Sequence, residues 1–411
     1  MKRLHVHPTW IAGIVSIGIV LSIAGCGTTQ PTASTIDTSK QQTTIQSNKN
    51  KNQTDPVSSK STKTGNPYRT PIDSAKSYPG TSVSFLNNQE GWIGGQGFIL
   101  HTSDGGQKWY EQYHGPYMIT AIQFHDAAHG WALGTHMDDT GAVQTNVLLQ
   151  TTDGGNHWAM ISDVQSGSTL RFTSNTDGFY GGHMTTDGGV TWKRLQIPDY
   201  LQTVGTYFDD ATTGWSVVRD KTNYKIERTA DGGKHWNIVF QRPTAFPIAK
   251  AWIQSTSAED AWVMIYGGSG MTQTSYTLLH SSDAGAHWTP VILQSTAGGG
   301  PAPGYSEQAS KGKAGPGSKP GDWVAFNSKS MILAGVCPAC EGHGTVGIGF
   351  TTDGGITYTN TKNKFPGQES SVSFLNPKDG WLLTNSPSIL YSTNDGGQTW
   401  TTVYQFEKSG K

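Results

Sequence analysis

The chain has 411 residues and is almost neutral, with 29 basic against 30 acidic side chains, which excludes the cationic surface that nucleic-acid binding needs. Only 34 % of it is apolar, yet it holds 14 tryptophans, so a core has to be built from few, large aromatic groups. No Gly-rich phosphate loop opens a helix, and no long helical period occurs beyond the N-terminus.

Residues 1–25 begin with Lys2 and Arg3, continue through the apolar run from Ile11 to Ile23 and end just before Cys26. This is the layout of an export signal. Its last residues, Ile23-Ala24-Gly25-Cys26, resemble the bacterial lipobox, which implies cleavage before Cys26 and a lipid on that cysteine. A plain secretory signal or a membrane anchor is the alternative. Residues 26–66 are rich in Ser, Thr, Gln, Asn and Lys with almost nothing apolar, so they cannot bury enough surface to fold. A coil of that size spans on the order of 35 Å, enough to tether a domain to a membrane.

Residues 67–411 carry one phrase seven times: a hydroxyl residue, a spacer, an Asp opening a tight turn, and an aromatic five residues after the Asp. The pairs are Asp104 with Trp109, Asp153 with Trp158, Asp187 with Trp192, Asp231 with Trp236, Asp283 with Trp288, Asp353 with Tyr358 and Asp395 with Trp400. Successive Asp residues lie 49, 34, 44, 52, 70 and 42 positions apart, a fixed box on a variable period. Asp-Gly-Gly supplies a carboxylate for nearby amides and then positive φ, so each box predicts a hairpin tip. A strand ending in Phe, then Gly-Trp or Gly-Phe, precedes the box: Phe85 and Gly91-Trp92, Phe124 and Gly130-Trp131, Phe172 and Gly178-Phe179, Phe208 and Gly214-Trp215, Phe374 and Gly380-Trp381. The fifth copy is reduced to Ala261-Trp262 and the sixth to Phe326 with Ser330-Met331.

Each unit therefore reads as four strands, A to D, with the Trp on B and the box between C and D. Seven units of about 47 residues predict an all-β, seven-bladed propeller of four-stranded antiparallel blades. The box aromatics are expected in the core between blades, and the box Asp residues are expected to be structural, because a carboxylate consumed by amides is a poor acid or base. His157, His235 and His287 each precede a box Trp, a positional recurrence that reads as structural.

Insertions fall at Gly134 to Val147, Gly267 to Tyr276, Gly335 to Val346 and in a Gly/Pro-rich segment, 294–321, expected to be mobile. All belong to B–C or D–A connections, on the face opposite the boxes. Loops on a rigid scaffold are where binding usually resides, so that face is expected to meet the partner. Within one insertion lies Cys337-Pro338-Ala339-Cys340, followed by Glu341, Gly342 and His343. In an exported chain a disulfide pinning the loop is the leading reading, with a redox-active pair or a metal held by Cys337, Cys340 and His343 as alternatives.

The joined repeat from Val83 to Trp109 resembles that of the photosystem II stability and assembly factor family, and its second half resembles the bacterial neuraminidase repeat, or Asp-box. The resemblance covers about residues 81–406. It implies a propeller acting as a binding scaffold or assembly factor, without catalysis and without a cofactor. The expected partner is a protein or envelope polymer on the B–C and D–A face, with a lipidated N-terminus in the cell membrane on its extracytoplasmic side; the chain is expected to be a monomer. The alternative is a sialidase-like or other Asp-box glycoside hydrolase. That chemistry wants paired carboxylates, and Glu227, Glu307, Glu341, Asp138, Asp139 and Asp322 show no pairing in sequence. It also wants an arginine triad, for which the chain offers only Arg69, Arg171, Arg194, Arg219, Arg228 and Arg242 after its signal. Arg171 is expected to face the channel or to pair with an acid.

Overall fold

The computed structural model describes residues 70–407, apart from 74–75, 138–142, 165–168 and 200. Cys26, the export signal, the linker, Arg69, Asp138 and Asp139 lie outside the described residues. Among the described residues the only helix is the three-residue 3-10 turn Cys340–Gly342; the rest is strand and turn.

The sheets are antiparallel β-propeller blades of four strands, consecutive in the chain. Repeats three to seven each form a separate four-stranded sheet, closing with the strands Glu369–Phe374, Gly380–Asn385, Ile389–Thr393 and Thr401–Gln405. Seven separate sheets were expected, and here the structure differs. Repeats one and two share one seven-stranded sheet, which leaves five separate blades. The joint is Tyr110–Phe124, a strand of 15 residues that leaves the first box and runs unbroken into the second repeat. It pairs first with the strand Gly91–Thr102 and then with Gly130–Met137. Thr70–Pro71 adds an outer strand by pairing with Glu111 and Tyr110.

A size rule explains the Phe and Gly-Trp signature. In five repeats the strand-A Phe lies over the glycine of its own strand B; a Cβ on Gly91 would meet Phe85 at 2.4 Å and one on Gly380 would meet Phe374 at 2.2 Å. In four of them, all but Phe374, the same Phe stacks on the strand-B aromatic of the preceding repeat. Trp92 meets Phe124 with centroids 3.5 Å apart, and Trp131 meets Phe172 at 3.8 Å. Where strand B lacks the glycine, strand A lacks the large ring. Repeat five has Ala261 on strand B and the small Ser255 near the end of strand A, and in repeat six the register pairs Met331 with Ala325. Phe326, expected in that role, is displaced one position beyond it.

The strand-B tryptophans Trp92, Trp131, Trp215 and Trp262 are at most 1 % exposed. Of the box aromatics Trp109 is buried, while the other six are half-buried at the outer strand. The insertions at 134–147, 267–276 and 335–346 are lengthened B–C hairpins: Gly134 pairs with Val147, Ser269 with Thr274, and Cys337 with Thr345. Residues 294–321, expected as a mobile insertion, are tied to the sheets. Thr277 donates to the Pro303 carbonyl at 2.9 Å, Lys313 Nζ to the Pro290 carbonyl at 2.7 Å, and Arg242 lies over the Tyr305 ring at 4.2 Å. Repeat three is the smallest sheet, with strands of two or three residues and a B–C turn at Gly181-Gly182, both at positive φ.

Candidate functional site

The boxes can be examined as chemistry because all seven are built alike. The Thr or Ser hydroxyl donates to Asp Oδ1 at 2.8 to 2.9 Å in every copy. The same Oδ1 accepts the amide four residues on, at 2.9 to 3.0 Å. In six copies Oδ2 is also taken: by the hydroxyls of Thr191, Thr357 and Thr399 and by Nδ1 of His157, His235 and His287. These donors hold the carboxyls low. The Thr191 hydroxyl and amide bring Asp187 to about 2, and the His235 and His287 amides and rings bring Asp231 and Asp283 to about 2. Burial works against ionisation at Asp104, Asp153 and Asp395, but the hydrogen bonds outweigh it. The Thr357 hydroxyl leads at Asp353.

In every box the residue after the Asp also donates its amide to the A–B turn of its own repeat, at 2.8 to 3.0 Å, from Gly105 to Gln89 through Gly396 to Lys378. Boxes and A–B turns thus share one face. In the fifth copy the donor is Ala284, at φ 57, where the other six have glycine. The carboxylates are spread one per repeat around that face and do not gather at one pocket.

The opposite face opens onto a cavity of about 570 Å³ lined by the innermost strands of repeats one, two, five, six and seven. Strand A of a repeat begins there, and this sets the chemistry. Lys250 and Lys319 open strands A of repeats five and six. Trp252 and Tyr266 also line it, with Thr81, Ser82, Thr120 and Ser370 and, from the repeat-six hairpin, Pro338. Lys250 Nζ lies 4.5 Å from the centroid of the Tyr266 ring, and its burial pulls the ammonium down from the usual range. Lys319 Nζ donates to the Met271 carbonyl at the tip of the repeat-five hairpin.

Asp322 and Glu369 are the acids among the lining residues, and Asp322 is the enclosed one. The residue keeps some surface on the cavity, but its carboxyl is enclosed: Oδ1 accepts from the Trp323 amide at 2.9 Å, and Oδ2 from the Val372 amide at 2.9 Å and the Ser371 hydroxyl at 3.3 Å. Burial pushes it up to about 6 even so. It ties strand A of repeat six to strand A of repeat seven. Glu227, Glu307 and Glu341 do not line this cavity. Arg171 donates to the carbonyls of Phe208 and Asp209, at 3.0 and 2.7 Å, and lies 5.4 Å from the Tyr207 ring centroid, so its charge is held between repeats three and four. Asp209, beside it, is pushed up to about 6 by burial.

Cys337 and Cys340 form a disulfide, which occupies both thiols of the three-ligand metal reading. His343 is exposed on the same tip. Sequence reasoning singled out this face but not its lysines, since Lys250 and Lys319 stand at strand starts with no motif around them.

No family model matches the chain. Among curated proteins it is similar to the photosystem II assembly lipoprotein Ycf48 of Synechococcus sp. (strain CC9902), 30 % identical over 226 residues. That match spans 50 % of this chain and 60 % of the relative's length. Among solved structures, a GH74 enzyme of Niastella koreensis aligns over 79 % of this chain and 54 % of its own, with a TM-score of 0.52 and 14 % identity. YCF48 bound to D1 peptide aligns over 79 % of this chain and 96 % of its own, with a TM-score of 0.48 and 18 % identity. The likeness to the GH74 enzyme is one of fold. The resemblance to the photosystem II assembly factor is carried by the sequence, over half of the chain.

Proposed function

We propose that the chain is a lipid-anchored, extracytoplasmic, non-catalytic scaffold that holds a protein partner through the face opposite its boxes. The joined sheet of repeats one and two counts as two blades in this reading, making a seven-bladed ring. The observation that carries the proposal is the cavity lining, where exposed Lys250 and half-buried Lys319 stand beside Trp252 and the buried Tyr266 ring, while one of the two lining carboxyls, Asp322, is committed to backbone amides and the other is Glu369. Two cations beside two aromatic rings suit recognition, whereas hydrolysis needs two available carboxyls, and of the lining acids Asp322 and Glu369 the first is held by backbone amides. The sequence relative is named an assembly lipoprotein, which makes a membrane-protein complex under construction the class of partner. Cys26 is the proposed lipid attachment point, residues 1–25 the signal and 26–66 the tether.

Crosslinking pulldown from membranes tests the proposal. A partner captured by the native chain and lost with Lys250→Ala plus Lys319→Ala supports it; capture unchanged by both removes the cavity mouth. Cys26→Ala is expected to release the chain from the membrane fraction. Turnover of fluorogenic glycosides, abolished by one change among Glu227, Glu307, Glu341 and Asp322, would replace the scaffold reading with a hydrolase.

A further inference from the structure

The Cys337–Cys340 disulfide closes a loop of only four residues. In the chain-entropy account such a short loop restrains the unfolded chain little, so stapling gains less here than almost anywhere else in the sequence. Its surroundings suggest a different use. The hairpin tip that carries it holds three residues with left-handed backbone, Glu341, Gly342 and Gly344, with φ of 53, 72 and 83. Both cysteines are half-buried and line a groove of about 500 Å³, whose other walls are the backbone of Ala314–Ser318 with Gln294, Glu341, Thr345 and Lys364. Pro338, between the two cysteines, lines the axial cavity instead. One four-residue loop thus borders both hollows.

We propose that Cys337–Cys340 is an exchange-active disulfide whose substrates are cysteine thiols of an extended polypeptide seated in this groove. Its placement beside the partner rests on the binding face proposed above. A partner thiolate attacks one sulfur of the pair, forming a mixed disulfide and releasing the other cysteine as thiolate. A second partner thiol then displaces the first cysteine. The partner ends with a disulfide and two fewer electrons, and the pair ends as a dithiol holding the two protons. Each chain does this once, as a stoichiometric oxidant. Lys364 supplies the electrostatics: it lines the same groove, its ammonium donates to the Pro316 carbonyl at 3.2 Å, and a cation on the groove wall favours the departing thiolate. Glu341, on the same wall, works against it, so removing that charge is expected to quicken exchange.

The test uses the full oxidised chain, with reduced glutathione and a synthetic two-cysteine peptide as probes, acid quenching and mass analysis after alkylation. The native chain is expected to open at neutral pH about tenfold faster than the same chain in urea, where the disulfide lacks its groove. Lys364→Ala is expected to slow opening severalfold and Glu341→Gln to speed it, with unchanged denaturation midpoints. Native opening no faster than in urea, or rates indifferent to both changes, overturns the proposal. The double variant Cys337→Ser, Cys340→Ser separates this from the binding reading: it is expected to abolish exchange and keep partner capture. Capture lost on Lys250→Ala and Lys319→Ala with exchange intact leaves this inference standing; glutathione exchange absent with capture intact sinks this inference alone.

Discussion

The ring of Phe85, on the first inner strand, lies flat on the indole of Trp381 in the last repeat, with centroids 3.8 Å apart and 2° between planes. Nearly 300 positions of sequence separate them, and the contact repeats the Trp92–Phe124 and Trp131–Phe172 stacks found between neighbours. The Ser371 and Ser373 hydroxyls accept the Val83 and Phe85 amides at the same seam. The ring therefore closes by side-chain packing and hydroxyl bonds between complete sheets.

Closure of this kind should be costly to break. Trp381→Ala removes a 5 % exposed indole and is expected to lower stability by about 3 to 5 kcal/mol, measured by urea denaturation. The half-buried Trp400→Ala should cost clearly less. Equal losses would mean that the seam carries no special share.

The boxes set the acid limit. Asp187, Asp231 and Asp283 have folded values near 2, below the ordinary 3.8, so the folded state favours their ionised forms. That stability is fully present above about pH 4 and is lost as pH falls through about 2. Acid titration followed by circular dichroism should show unfolding in this window, with the midpoint raised in Asp187→Ala.

Asp322 acts with the opposite sign. A carboxyl raised to about 6 binds its proton more tightly when folded, so its contribution is present below the ordinary 3.8 and declines as pH rises to about 6. Asp209, also near 6, adds to the same slope. Asp322→Asn should flatten the urea midpoint between pH 4 and 6, and an unchanged profile would assign that slope to Asp209.

His280 joins repeats five and six. Its Nε2 lies 2.8 Å from Asp260 Oδ1, its Nδ1 is 2.8 Å from the Gly354 carbonyl, and its ring stacks on Trp262 at 3.8 Å. Asp260 is 2 % exposed and keeps only the Thr256 hydroxyl if the ring is removed. His280→Leu is therefore expected to cost about 3 kcal/mol. A double change with Asp260→Asn should recover part of that loss, read from denaturation midpoints.

The local half of this fold was legible in the sequence. Asp-Gly-Gly with an aromatic five residues later is a turn whose donors and acceptors lie within the phrase, so Asp104 or Asp395 could be placed without any neighbour. Gly91-Trp92 was equally readable. What escaped was set by distant contacts. The shared strand Tyr110–Phe124 depends on two repeats twisting into one ladder, and the one-position shift from Phe326 to Ala325 depends on the size of Met331 across the pair. Lys250 and Lys319 line one cavity because strands A of repeats five and six both begin there, which no spacing along the chain reveals.

The volume exchange between strands A and B has an evolutionary consequence. Adding even a methyl to Gly380 would collide with Phe374, yet Ala261 is accommodated where Ser255 replaces the ring. Divergence at these positions must proceed as compensated pairs within a repeat, and each pair also has to suit the indole arriving from next door. Related chains should thus drift freely in their connecting hairpins while the inner positions change in concert or stay as they are.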